Sequence, residues 1–368
     1  LITYCTNIHP GESWSEVFAA LDTHIPVVKQ SVSPQAPFPL GLRLSSRAAA
    51  ELTPAAITTF KNWLKDKDCF VPTVNGFPYG EFHGSVIKEK VYLPDWRSDE
   101  RRDYTIRVAD ILAELMPADI SGSISTVPLG FKGAVSRHDL PLLRQQLAAV
   151  LAHLAGILDG RGRNIVLALE PEPGCLLETT EDVCRFFDTV NLPHRLRHHL
   201  GICYDCSHQA VEFEEPAASL AMLAASEVPV AKVQISSALR FNGDDPGMLA
   251  PFAEPGYLHQ VVIRRRDGRL VRYNDLPDAL SGHCRQAGDE WRCHFHLPVF
   301  HEGSGAIGTT REFITQLLPR LQQETLLEVE TYTWDVLPPE LRSGTVTASI
   351  VREINWLEEQ LNAAHRCP

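Results

Sequence analysis

No stretch of the 368-residue chain approaches the roughly 18 uninterrupted apolar residues that a membrane span needs, so none is expected. Basic residues are outnumbered: 34 Lys and Arg stand against 46 Asp and Glu, for a formal net charge of -12. A protein that grips nucleic acid by bulk attraction to phosphates is therefore disfavoured. The opening LITYCTNIHPGESW has no basic region followed by an apolar run, so no signal peptide is expected. A Gly-rich turn is missing after the first strand-like run, which counts against an open doubly wound sheet that binds a dinucleotide. Internal repeats and low-complexity tracts are also missing.

Nine cysteines are present, an odd number with no small secreted-domain spacing. Free thiols in a reducing cytoplasm are the economical expectation. Cys203 and Cys206 form a C-x-x-C in GICYDCSHQA, with Asp205 and His208 interleaved as D-x-x-H. A redox pair would sit at a helix start, and a structural zinc site would need a second pair. Cys203 falls inside a strand-like run, so packing cysteines beside a ligand are preferred to a thiol site.

Short apolar runs alternate with helical patterns along the chain. The runs are ITYCTNI, LGLRLS, FVPTVNGF, DISGSISTVP, NIVLALEPEPG, LGICYDCSH, VAKVQISSA and TLLEVETYTW. Ser13 and Glu16 have capping-box spacing at the first helix, and Gly160 is expected to close the strong helix before NIVLALE. Such alternation implies a parallel sheet with crossover helices, and eight units suggest a (β/α)8 barrel. The expected organisation is one domain over 1–368, with a cap inserted after strand seven at 239–292. Asp267-Gly268 in VVIRRRDGRLVRY marks a hairpin within it. The basic run from Arg264 to Arg266 reads as a solvated arm in preference to an anion site. The barrel is expected to resume at RCHFHLPVFHEG.

Barrels carry their chemistry at the carboxyl ends of the strands. Glu170 closes NIVLALE, Asp205 closes GICYD, Gln234 sits in AKVQISS and Glu330 in LEVETY. Strand parity aims each at the barrel mouth. Carboxylates so close repel unless a cation sits among them, and all-oxygen ligation suits Mg2+ or Mn2+, with Zn2+ the second choice. Glu172 and Glu328 share parity with Glu170 and Glu330, so either can replace its neighbour as ligand. His294 and His296 share a face of an extended segment, and of the two His296 is the stronger candidate for the site. His9, Asn75 and Lys132 are candidate substrate contacts at other strand ends, with turn or capping roles as the alternative.

The strand-end pattern resembles the xylose-isomerase-like TIM barrels, the sugar isomerase and epimerase superfamily. The resemblance implies a metal held by Glu170, Asp205, Gln234 and Glu330, where Gln234 stands in the place of a more usual His. It makes His208 a substrate contact. It also gives Glu170 and Glu330 the proton transfers of an isomerase or epimerase that works through a metal-stabilised enediolate; spacing alone supports only a metal site. The motifs CTNIHPGESW, NGFPYGEFHG, VYLPDWR, STVPLGFKG and LEVETYTWDVLP are similar, nearly end to end, to those of the bacterial ebo-cluster metabolite-traffic proteins, EboE. That implies a cytoplasmic role in making or handing on a small metabolite. The implied partners are that metabolite and other ebo-pathway proteins; a homodimer is a separate expectation. Two rival functions follow from the same barrel. One is a binding or traffic protein without turnover. The other is phosphodiester hydrolysis, as in a DNA-repair branch with several zinc ions, which the acidic chain and Gln234 disfavour.

Overall fold

A computed structural model describes residues 1–282 and 286–364. Cys284, Cys367 and His365, the last residue of the expected final helix, lie outside the described residues. Among the described residues thirteen strands fall into two sheets. The first holds β1 (Ile2–Tyr4), β2 (Phe38–Arg43), β3 (Cys69–Asn75), β4 (Gly122–Thr126), β5 (Ile165–Leu169), β6 (Leu200–Asp205), β7 (Val230–Ile235) and, last in the chain, β13 (Leu327–Val329). All its pairings are parallel, in the order β1-β13-β7-β6-β5-β4-β3-β2. A parallel bridge between Cys5 and Gly41 joins the two ends, giving the (β/α)8 barrel.

Gly41 is required at that seam. A Cβ there would lie 2.0 Å from Glu328 Oε1 and 2.6 Å from the Tyr4 carbonyl. Strands such as IVLAL are apolar throughout because helices cover one face and the barrel interior the other. The first helix, Trp14–Val32, starts at the expected capping box: Ser13 accepts from the Glu16 amide, and Glu16 Oε2 accepts from the Ser13 amide at 2.8 Å. The helix Leu140–Arg161 runs past Gly160 and ends at Gly162, whose φ of 63° supplies the left-handed cap. The segment Arg137–Arg161 is long and apolar enough to cross a membrane by composition, but Leu143, Leu147, Val150, Leu151 and Leu154 are buried inside the protein.

The second sheet departs from the sequence reading. It is antiparallel, ordered β10-β9-β11-β8-β12, with β8 (Ser237–Phe241), β9 (Val261–Arg264), β10 (Leu270–Tyr273), β11 (Glu290–Leu297) and β12 (Ile307–Thr309). Its strands reach beyond 239–292 at both ends. RCHFHL is its central strand and does not return to the barrel. The hairpin at Asp267-Gly268 is present, with Gly268 at φ 85°. Its arginines pair with acids: Arg264 with Glu290 and Arg265 with Asp289. Between Cys293 and His296 the register of β11 against β8 shifts, a bulge that re-aims the side chains there.

The final helix, Val346–Ala364, is pinned by buried Glu353, whose Oε2 accepts from Thr331 Oγ1 at 2.6 Å and the Val299 amide at 3.2 Å. Burial pushes this carboxyl from 4.5 up to about 7. A raised carboxyl means the folded chain holds a proton that the unfolded chain releases between those values, so stability falls as pH rises from 4.5 to about 7. Glu353→Gln keeps the acceptor and removes the ionisation. It is expected to stabilise the protein above pH 7 by up to roughly 3 kcal/mol and to leave it unchanged below pH 4.5. Urea unfolding of both proteins across that range checks this.

Candidate functional site

β5 ends at Leu169, which puts Glu170 at the rim, and β6 ends at Asp205. Asp205 also caps the short helix Cys206–Val211: its Oδ1 accepts from the His208 amide at 2.9 Å and from Ser236 Oγ at 2.7 Å. The cap turns His208 back over the rim, 3.9 Å from Asp205 Oδ1. Ligand atoms of Glu170, Asp205 and His208 all lie within 4.8 Å of one another. Glu170 Oε2 and Asp205 Oδ2 are buried and have no hydrogen-bond partner. Bare carboxylate oxygens in a buried site are costly unless a cation meets them, so this group fits a divalent ion.

Glu330 lines the same pocket. Its Oε1 accepts from Asn7 Nδ2 at 2.7 Å and from Asn75 Nδ2 at 3.3 Å, so Asn75 acts here by holding a carboxylate. Gln234 is placed differently from the expected ligand. Its register partners are Asp205 and Glu328, but its Oε1 accepts from Cys203 Sγ at 3.2 Å; like Asp205, it is not among the residues lining the pocket. Glu328 lies deeper, 2.5 Å from Lys232 Nζ, with both side chains fully buried. Glu172 faces the pocket through its other partners, accepting from Tyr92 Oη at 2.7 Å and Gln260 Nε2 at 3.2 Å. Lys132 pairs with Glu178 at 2.5 Å, away from the pocket lining. His9 is buried against Tyr4 and stacked on His24, also outside the lining.

The pocket is partly open to solvent, and about 50 Å³ of it is free to water-sized groups. Its roof is a small apolar cluster of Phe82, Ile87, Tyr257 and Tyr332, from three separate loops. The β11 bulge sends His294 and His296 into it beside His208. Sequence reasoning missed Asn7, Tyr92, Gln260 and Tyr332. Asn7 and Tyr332 lie just past β1 and β13, where strand-end position was a usable signal. Gln260 had none, because nothing local says how the second sheet folds back.

Charges in the pocket are strongly coupled. Burial, reinforced by Asp205, pushes Glu170 up to about 8, against the pull of His208. Burial, then the charges of Glu170 and Asp205, hold Glu330 well above the usual carboxylate range. Burial opposes ionisation of Asp205 too, but His208, His296 and its hydrogen bonds outweigh that and hold it low. Burial would lower His208; the carboxylates of Asp205, Glu172 and Glu170 raise it instead. His296, dominated by burial, falls to about 4.

The C-x-x-C is not a disulfide, since Cys203 and Cys206 are both free and buried. Burial pushes both thiols well above their ordinary range, so neither is a ready nucleophile. Cys206 does begin a helix, but Asp205 occupies the cap and belongs to the Glu170–Asp205–His208 group in its place.

No family model matches the chain, and no curated protein matches it. Solved structures do. One is a xylose isomerase-like TIM barrel protein from Mycobacterium smegmatis in complex with magnesium (TM-score 0.56, 11% identity, covering 99% of this chain and 97% of that one). Another is a D-tagatose 3-epimerase-like protein (TM-score 0.53, 13% identity, 99% and 98%). A third is the IolI protein with a bound zinc atom (TM-score 0.52, 12% identity, 99% and 98%). At these identities the likeness establishes the TIM-barrel fold.

Proposed function

We propose that the barrel mouth binds a small polyhydroxylated or sugar-like metabolite with a divalent ion and interconverts it as an isomerase or epimerase. The observation that carries this reading is that Glu170 and Glu330, from different strands, face one roofed pocket beside the Asp205–His208 pair. A divalent ion, when bound, acidifies the C–H next to a carbonyl and stabilises the enediolate that follows. Glu170, Asp205 and His208 would hold it. Glu330, oriented by Asn7 and Asn75, moves a proton to or from the substrate carbon. The aromatic roof keeps water from the exposed carbanion-like carbon and offers flat apolar faces to a sugar ring. The D-tagatose 3-epimerase-like neighbour supports this substrate class. The resemblance of CTNIHPGESW and LEVETYTWDVLP to EboE supports a step in an ebo-type metabolite pathway. The buried free thiols are in keeping with a cytoplasmic protein.

The test is solvent exchange. Protein loaded with Mn2+ in D2O is incubated with a panel of ketopentoses and ketohexoses, and deuterium next to the carbonyl is read by NMR. Incorporation that stops on chelation is the expected result. A sugar that binds without incorporation makes the protein a carrier. No sugar bound at all removes the reading.

A further inference from the structure

We infer that the cleft between the helices Leu140–Arg161 and Thr180–Thr189, on the flank of the barrel, binds a small phosphate monoester with an apolar body. The inference does not rest on the isomerase reading.

Two facing helical stripes build the cleft. Arg137, in the short turn Arg137–Asp139 that leads into the first helix, shares a face with Leu140 and Arg144. Asp182, Arg185, Phe186 and Thr189 share a face of the second. Leu129 and Leu176, from the loops after β4 and β5, close the floor. The cleft is partly open to solvent, and about 260 Å³ of it is free to water-sized groups. That is a little below the ordinary range of about 300–1,000 Å³ for ligand pockets, so the occupant is small. The cleft is not an extension of the barrel mouth. The loop after β5 runs between the two: its Glu172 lines the mouth, its Leu177 lines the cleft, and the Glu172 amide donates to the Leu177 carbonyl at 3.2 Å.

Charge selects the ligand. Three guanidiniums line the cleft against one carboxylate. Arg185 is already occupied by Asp182, at 3.1 Å, and by Glu181. Asp182 Oδ2 caps its own helix, accepting from the Thr179 hydroxyl at 3.1 Å. Arg137 and Arg144 have no ion-pair partner among the described residues, in a chain whose formal net charge is -12. The Nε of Arg144 is also buried with no hydrogen-bond partner. A buried N–H without an acceptor is costly, and an oxyanion in the cleft supplies one. Two free cations match a dianion, and the planar guanidinium fork takes phosphate oxygens in pairs. Phe186, Leu140 and Leu176 offer an apolar wall to the rest of the ligand, which bare inorganic phosphate would leave unused.

The test is calorimetric titration of the full chain at about pH 8, where the ester is doubly charged. Chelator is present throughout, so that no metal at the barrel mouth collects phosphate. The probes are phenyl phosphate, inorganic phosphate and phenol. The expected result is saturable binding of phenyl phosphate, about tenfold or more tighter than either fragment. Arg137→Gln and Arg144→Gln should each weaken it on the order of tenfold. Arg107→Gln, an equal loss of charge at an exposed position on the helix Asp99–Leu115, should change it by less than about twofold. If an arginine variant does not fold, Thr189→Glu decides in its place, because it sets a carboxylate at the exposed rim of the cleft and should weaken binding by a similar factor. The inference is overturned by a wild-type protein that does not bind phenyl phosphate saturably, or binds it no tighter than inorganic phosphate. Binding that survives these changes in the cleft, or that falls equally in Arg107→Gln, overturns it as well.

Discussion

Glu330→Gln is expected to cut metal-dependent exchange of the substrate C–H by about 10²–10⁴-fold, the range for removing one positioned acid or base. The substitution is small in every other respect. Glu330 Oε1 is the atom that accepts from Asn7 at 2.7 Å and from Asn75 at 3.3 Å, and a glutamine oxygen accepts both. What is lost is the capacity to carry a proton. The change should also separate two roles that strand-end position merges. Glu330 lies outside the compact Glu170–Asp205–His208 group, so Mn2+ affinity should stay within roughly tenfold. A much larger loss of Mn2+ would make Glu330 a ligand. Full exchange activity in Glu330→Gln would remove it from the proton transfers altogether. Isotope incorporation and Mn2+ titration on the same preparation read both.

Fold class was legible because its signals are local. Each barrel strand is a short apolar run, and the Ser13–Glu16 box and the Asp267-Gly268 turn depend on neighbours a few residues apart. Glu170 and Asp205 were legible for a related reason: each follows a buried run, and parity sets the direction of its side chain. The failures are of longer range. Parity cannot separate Glu328 from Glu330; the distinction comes from Lys232, a lysine on a neighbouring strand, which takes Glu328 into the barrel floor. Parity also placed Gln234 facing inward without saying that Cys203, one strand over, would hold its oxygen. His294 and His296 share a face as an extended segment requires. Their meeting with His208 depends on a bulge and on a sheet whose strands come from Ser237 to Thr309. Lys132 has an acid partner that local sequence does not reveal, Glu178, in the loop after the next strand.

Lys232→Met is expected to destabilise the protein by about 3–5 kcal/mol, the penalty for leaving one member of a buried ion pair without its partner. Lys232 Nζ and Glu328 Oε2 are 2.5 Å apart, and neither side chain reaches solvent. Glu328 Oε1 has no hydrogen-bond partner of its own, and Gly41 gives it room where any Cβ would collide. In Lys232→Met the remaining carboxyl is buried without its partner, which favours the neutral form. The deficit should then shrink at acidic pH, where carboxylates of the unfolded chain take up protons, which the loss of apolar packing alone would not do. Adding Glu328→Met removes the stranded charge and should restore most of the stability, because well-packed apolar pairs often match buried ion pairs. Urea unfolding of the single and double variants at two pH values tests this. A double variant no more stable than Lys232→Met would mean that the pair itself, rather than the avoidance of a lone charge, holds the barrel floor together.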